Sequence, residues 1–269
     1  MATPIGNLGD ITLRAIETLK AADFVAAEDT RVSLKLFNHL GIKKSLVSYH
    51  EHNKEESGAK IVSRIAGGES CALVTDAGTP AISDPGEALV RLCAERGIEV
   101  VPIPGACAAI SALAASGLSA GRFCFEGFLS TSKKSRAEHL EGLRNESRTM
   151  IFYEAPHKLR NTLRDLLDAF GDRDVSVSRE LTKLHEETLR MKLSDVISHF
   201  EETQPKGEFV LIVSGAEPEL DAGMSRDEAL LKMKALRAEG HSLKEAARML
   251  AKESGLSKNE LYALGLAEE

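Results

Sequence analysis

Apolar residues in this chain follow two rhythms. Short apolar runs at 24–27, 46–48, 71–74, 98–103, 149–153 and 207–213 stop abruptly at polar or turn residues, and they predict buried strands. Further strands are predicted at 122–129, rich in aromatics, at 174–178, and at 185–193, where polar and apolar residues alternate. Between them the apolar positions recur at helical spacing. Leu13, Ile16 and Leu19 share one face behind Asp10 as expected N-cap, and helices are predicted at 32–40, 54–66 and 87–96. Others follow Pro104-Gly105 up to Ser116, run through Leu167, and cover 194–200. Beyond a Pro/Gly/acidic linker near 216–224 the pattern is helical throughout, at 225–239, 242–253 and 257–266. Strands alternating with helices over the first half imply a mainly parallel α/β domain. The Gly/Ser break at 117–121 is the expected boundary, giving α/β domains at 1–118 and 119–216 and a helical extension at 225–269.

The stretch 72–86, ALVTDAGTPAISDPG, organises the reading. A buried strand runs into a loop with Gly78, Pro80, Pro85 and Gly86, flanked by Asp76 and Asp84, with a helix behind it. Ligand sites of α/β proteins lie at the carboxyl ends of strands, where glycine permits close approach to the backbone and proline holds the loop in one shape. A long turn-rich connection is the plainer alternative. Thr3 to Asp10 (TPIGNLGD) has the same character, yet only Met1 and Ala2 precede it. A strand is expected there, so this loop is expected to be less well anchored than the DAGTP loop.

Composition narrows the field. The chain has 269 residues, 43% of them hydrophobic, and a net charge of −7, so no global field draws it to nucleic acid or an acidic membrane. The four cysteines have no CxxC spacing and read as reduced thiols of a cytosolic protein. No apolar run is long enough to span a bilayer. His50 and His52 have no third ligand at recognisable spacing, and no metal is expected. There is no Walker loop and no Ser-His-Asp pattern, which argues against kinase and hydrolase readings.

Several strand ends carry chemistry. Glu28, Asp29, Thr30 and Arg31 could grip a polar substrate, or they could be an N-cap with a surface arginine. From 130 to 160 seven Lys/Arg face four Glu, a local excess including Lys133, Lys134 and Arg136 that suits phosphate contact or a solvated helix face. Small residues Ala108 and Ala109 at a helix start allow close approach of a ligand or tight packing. Glu28, Asp29 and Glu154 at strand ends are candidates for a general base, and none is singled out.

TPIGNLGDIT, AEDTR, VTDAGTPAISDPG, PGACAA, FCFEGFL, IFYEAPHKL, RELTK and KGEFVLIV occur in this order. Together they resemble the ribosomal RNA small subunit methyltransferase I family within the tetrapyrrole methylase superfamily. The resemblance spans Ala2 to about Val213, and the C-terminal helices resemble that family's helix-turn-helix extension. It implies a two-domain α/β methyltransferase, usually a cytoplasmic homodimer, holding S-adenosylmethionine (AdoMet) in the cleft between its domains. The implied reaction is 2′-O-methylation of a cytidine in the decoding centre of 16S rRNA, on the small ribosomal subunit. The resemblance places Pro4, Asp76, Ala77, Gly78, Thr79, Ala108, Ala109, Phe152, Tyr153 and Gly207 around AdoMet. It also makes Gly6, Asn7, Asp29, Thr30 and Arg31 substrate contacts.

Two other readings share these residues. A tetrapyrrole methyltransferase would keep the chemistry and change the substrate. A helix-turn-helix regulator that only senses AdoMet would depend on its tail, whose eight Lys/Arg and eight Asp/Glu balance and bind phosphate poorly.

Overall fold

The computed structural model describes residues 1–217, 224–251 and 253–266, so most of the expected 216–224 linker lies outside the described residues. It divides into two compact units, Met1–Gly215 and Ala216–Glu269.

The first unit holds two sheets. Strands β1 (Phe24–Ala27), β2 (Ser45–Ser48) and β3 (Cys71–Val74) form a parallel sheet in the order β2-β1-β3. The central strand, FVAA, is apolar at every position because both of its faces are covered and both edges are paired. Val25 and Ala27 pack with Leu19 of α1 (Leu13–Ala21) and with Leu36 and Phe37 of α2 (Thr30–Leu40). Phe24 and Ala26 face the other way, onto Ile61 and Val62 of α3 (Lys54–Ala66) and Leu89 and Cys93 of α4 (Glu87–Glu95). The strands point their carboxyl ends, and so the AEDTR and DAGTP loops, toward one edge of this layer.

After α5 (Ala108–Ser116) comes a five-stranded mixed sheet in the order β4-β5-β8-β6-β7. Its strands are β4 (Phe123–Phe128), β5 (Thr149–Glu154), β6 (Asp174–Arg179), β7 (Glu187–Lys192) and β8 (Phe209–Val213). Only β4 and β5 are parallel. Helix α6 (Lys133–Gly142) joins them, and α7 (Leu159–Phe170) and α8 (Leu193–Glu202) cover one face. Strand alternation sends Met150 and Phe152 into that covered face, and Ile151 and Tyr153 toward α5 on the opposite one.

Three expectations are corrected. The run 98–103 is not a strand: Val100 and Val101 are exposed, and the run is held at its end, where Ala2 N–H donates to the Ile103 carbonyl at 3.2 Å. A run that β-branched residues favour still needs a ladder partner along its length. Asp10 does not cap α1; Thr12 does, accepting from Ala15 N–H at 3.1 Å, while Asn7 caps the short 3-10 turn Leu8–Asp10. The TPIGN loop is not loosely held. Thr3 and Gly78 exchange backbone hydrogen bonds of 2.9 and 3.1 Å, and Thr3 Oγ1 donates to the Thr75 carbonyl at 3.2 Å. Gly78 sits at φ +82°, a left-handed conformation that glycine adopts without steric cost. The two loops therefore anchor each other.

Among its described residues the second unit is three helices, α9 (Arg226–Ala238), α10 (Leu243–Leu250) and α11 (Lys258–Leu266), closed over Ala229, Met233, Ala247, Leu250 and Leu261. Each opens on a serine followed three residues later by glutamate: Ser225 with Glu228, Ser242 with Glu245, and Ser257 with Glu260. In each pair the serine hydroxyl accepts the glutamate's N–H while the carboxylate accepts the serine's N–H.

Candidate active site

A cavity of about 460 Å³ lies between the two sheets of the first unit. From the first half it is walled by Ile5, Ala77, Gly78, Thr79, Asp84 and Ala108; from the second by Phe128, Tyr153, Leu181, Glu208 and Val210. Thr79 Oγ1 donates to the Ala106 carbonyl at 3.0 Å, tying the DAGT loop to the loop that leads into α5. Tyr153 crosses from the other side, where its Oη accepts Ala109 N–H at 3.0 Å at the start of α5. Its ring stands edge-on to Phe125 and Phe128, with centroids 5.1 and 5.5 Å away. Burial, with Cys107 nearby, pushes the Tyr153 phenol up to about 12, so it remains a neutral hydrogen-bonding group.

Of the expected cofactor contacts, Ala77, Gly78, Thr79, Ala108 and Tyr153 line this cavity. Pro4, Asp76, Ala109 and Gly207 adjoin its lining without forming it. Phe152 is fully buried in the core beneath α7 and α8, because consecutive strand residues cannot face the same side. Glu208, which the resemblance sets beside Gly207 on the second wall, lines the cavity, and so do Asp84, Phe128 and Leu181, which were not among the expected contacts. Asp84 was visible as the second aspartate flanking the DAGTP loop, and Glu208 as the acid of KGE, but nothing in the sequence sets their directions.

The strand-end acids form a chain of contacts. Asp76 N–H donates to Glu28 Oε2 at 3.3 Å, and Asp29 N–H donates to Asp76 Oδ1 at 3.0 Å. Asp29 also caps α2 through Arg31 N–H and holds the Arg31 guanidinium through Nε and Nη2, the latter at 2.6 Å. Those Arg31 bonds bring the Asp29 carboxyl down to about 2. Both open readings of AEDTR thus hold in part: Asp29 is the N-cap, while the Arg31 side chain stays 88% exposed beside it. Thr30 opens α2. Burial raises the Glu28 pKa, helped by the Asp76 and Asp29 charges. Asp84 is raised further, to about 6, by burial and by Glu28 and Asp76.

Asp84 and Ser83 also line a second cavity, of about 540 Å³, with Glu28, Tyr49, Lys54 and Arg91. A third, of about 790 Å³, opens between α6 and α7 and includes Lys133, Arg136, Lys158 and Asp165. Here Arg136 departs from the expected substrate contact. Its side chain is only 14% exposed, directed at Asp165 Oδ2 at 2.5 Å and at Thr162 Oγ1 at 2.8 Å. Thr162 in turn donates to Glu154, a carboxylate 3% exposed that also accepts Ala155 N–H at 2.8 Å. Its Nε and Nη2 are thus engaged by Asp165 and Thr162 rather than free on a solvated helix face. Lys133 and Lys134 are exposed, Lys134 lying 3.8 Å from Glu138.

The RELTK turn closes the far side. Glu180 and Thr182 sit at φ +51° and +68°, and Lys183 Nζ bridges Glu180 Oε1 and Glu208 Oε2, each at 2.9 Å. Gly6 lies directly on it: a Cβ there would come within 2.5 Å of Lys183 Cγ. Among the described residues, no group of three or more His, Cys, Asp or Glu could hold a metal ion, and no helix is long and apolar enough to cross a membrane.

The mixed α/β unit with a ligand-sized cavity between its two sheets is the part of the chain that a methylase family of the tetrapyrrole type matches. The family model for Tetrapyrrole (Corrin/Porphyrin) Methylases matches residues 2–197, and the model for the RsmI C-terminal HTH domain matches 225–269. Solved structures share the fold. Diphthine synthase is 16% identical with a TM-score of 0.60 over 79% of this chain and 87% of that one. Uroporphyrin-III-C-methyltransferase from Thermus thermophilus is 19% identical with a TM-score of 0.54, over 79% and 91%. Curated relatives are much nearer in sequence. Ribosomal RNA small subunit methyltransferase I of Synechocystis is 48% identical across 100% of this chain and 97% of that protein. The namesake proteins of Halalkalibacterium halodurans and Bacillus subtilis are 48% and 46% identical, over 97% of this chain and 92% and 90% of theirs. The chain belongs to the ribosomal RNA small subunit methyltransferase I family.

Proposed function

We propose that this chain transfers a methyl group from AdoMet to the ribose 2′-hydroxyl of a decoding-centre cytidine in 16S rRNA, acting on the small ribosomal subunit. The observation that carries this reading is the 460 Å³ cavity, built by the DAGT loop and Tyr153 in a chain of this family. Its volume is within the roughly 300–1,000 Å³ of small-molecule sites. Its lining also suits the ligand, with an apolar shelf of Ala77, Ala108, Leu181 and Val210 for a nucleoside. AdoMet supplies a methyl already activated on a sulfonium.

The protein's part is then placement. Holding the hydroxyl in line with the methyl carbon contributes on the order of 7–11 kcal/mol. Gly6 and Asn7 sit where the TPIGN loop meets Lys183, and with Thr30 and Arg31 they are the proposed contacts to the RNA backbone. Lys183 stays charged there: burial opposes the charge, but Glu208 and Glu180 hold its pKa above the ordinary value. Lys133 and Lys134 are proposed phosphate contacts, and Arg136 seats α6 on α7. Among the acids weighed as a base, Asp29 is committed to Arg31 and Glu154 to Thr162. The active form is proposed to be a homodimer of 29.0 kDa chains in the cytoplasm. Sedimentation at one chain mass would remove the dimer from this account.

The test is transfer of labelled methyl from AdoMet to small ribosomal subunits that lack the modification, with the product ribose mapped. Transfer to a tetrapyrrole precursor and not to RNA would overturn the assignment.

A further inference from the structure

Two cavities of the first unit meet at the Ser83-Asp84 turn. The 460 Å³ cavity suits the methyl donor, and the 540 Å³ cavity lies on the other side of the Ser83-Asp84 turn, bounded by Glu28, Tyr49, Lys54 and Arg91. In-line transfer needs donor and acceptor on opposite sides of a shared opening, with the reacting atoms about 3–3.5 Å apart. Among the described residues, only Ser83 and Asp84 line both spaces.

We propose that Asp84 is the catalytic base, taking the proton of the attacking ribose hydroxyl, and that the 540 Å³ cavity receives the acceptor sugar. This rests on the function proposed above and names a residue of that site. O2′ forms the new O–C bond as the C–S electron pair returns to sulfur, and its proton passes to an Asp84 oxygen and then to water.

The neighbouring acids are already engaged. Asp29 holds Arg31, Asp76 accepts Asp29 N–H, Glu28 accepts Asp76 N–H, and Glu154 is bound by Thr162 and Ala155. Among the described residues no hydrogen-bond donor engages the Asp84 carboxylate, which is half-buried and faced by the Glu28 and Asp76 charges. Across the second cavity Lys54 is paired with Glu51, and Arg91 lies 3.7 Å from Glu87, so neither cation neutralises Asp84. Tyr153, on the side of the first cavity, is a neutral phenol. A carboxyl near 6 in this setting is a stronger proton acceptor than an ordinary aspartate and is still ionised at pH 7.

The experiment compares wild type, Asp84→Asn and Glu28→Gln in single-turnover methylation of purified small subunits between pH 5 and 9. Calorimetric AdoMet binding and a carboxyl NMR titration of Asp84 in the ligand-free protein accompany it. Asp84→Asn is expected to slow transfer by about 10²–10⁴-fold, with AdoMet affinity within roughly three-fold of wild type. The acid limb near pH 6 should vanish in this variant, while Glu28→Gln should move it to lower pH together with the Asp84 titration. A base that Asn cannot replace leaves folding intact: native-state Tm at pH 8 should be no lower, since a partly desolvated charge has been removed. If Asp84→Asn fails to fold, the Glu28→Gln shift carries the test, and an acid limb that stays in place overturns the proposal. Transfer by Asp84→Asn within three-fold of wild type would remove Asp84 alone. Absence of ribose methylation by the wild type would overturn both this and the function proposed above.

Discussion

Replacing Thr162 by valine exchanges one hydroxyl for a methyl in the layer behind the cavity and leaves the side-chain shape nearly unchanged. Thr162 is fully buried on α7, donating to Glu154 and accepting from Arg136 Nη2 at 2.8 Å. The variant leaves a buried carboxylate with only Ala155 N–H as a bonding partner and Arg136 with only Asp165. A lost hydrogen bond to a charged group is worth about 1.5–3 kcal/mol, and the β-branched replacement brings no new helix cost. The expected loss is therefore about 2–3 kcal/mol, or roughly 4–12 °C in Tm for a unit of this size. Hydrogen exchange of the β5 amides under urea reports the first unit separately from the helical one. In a Glu154→Gln background the same change should cost only about 1 kcal/mol, because no charge is left unpaired. A loss below about 0.5 kcal/mol, or an equal loss in both backgrounds, would refute the account of this network.

Tyr153→Phe removes the acceptor of Ala109 N–H and should weaken AdoMet binding by about five-fold, the equivalent of one ordinary hydrogen bond; unchanged affinity in calorimetry would count against the site. Replacing Lys133 and Lys134 together by alanine should flatten the salt slope of RNA binding by about 0.7–0.9 for each phosphate no longer neutralised, while Arg136→Ala should lower stability instead. The Asp29 carboxyl should titrate at about 2. Its pairing contribution is thus fully present above the unfolded value near ~3.9 and is lost as pH falls through the folded one. An NMR midpoint at 3.5 or above would contradict the Arg31 clamp.

The sequence spoke most clearly where burial leaves a continuous signature. FVAA and FVLIV read as strands because both faces and both edges are covered, and the tail reads as helices from 225, 242 and 257 because helical spacing is local. It misled where partners decide the outcome. The 98–103 run has strand composition but lacks a ladder partner along its length, so Val100 and Val101 stay exposed. Arg136 reads as part of a basic patch, yet Asp165 lies 29 positions along the chain and only folding brings them together.

The site was legible as loops and less so as side-chain directions. Ala77, Gly78, Thr79 and Ala108 line the cavity, and Asp76 adjoins it. Strand alternation, already implicit in TMIFY, admits Tyr153 and excludes Phe152. Asp84 required the fold, because the Ser83 backbone at φ +63° turns the chain just before it. Lys183 likewise depended on its approach to Gly6 and Glu208, both distant in sequence.

The most direct measurement is methyl transfer itself. Small ribosomal subunits lacking the modification, incubated with the purified chain and methyl-labelled AdoMet, should take up label on 16S rRNA at the 2′-oxygen of one decoding-centre cytidine. Label on a base, on a tetrapyrrole, or on no RNA at all would contradict the account.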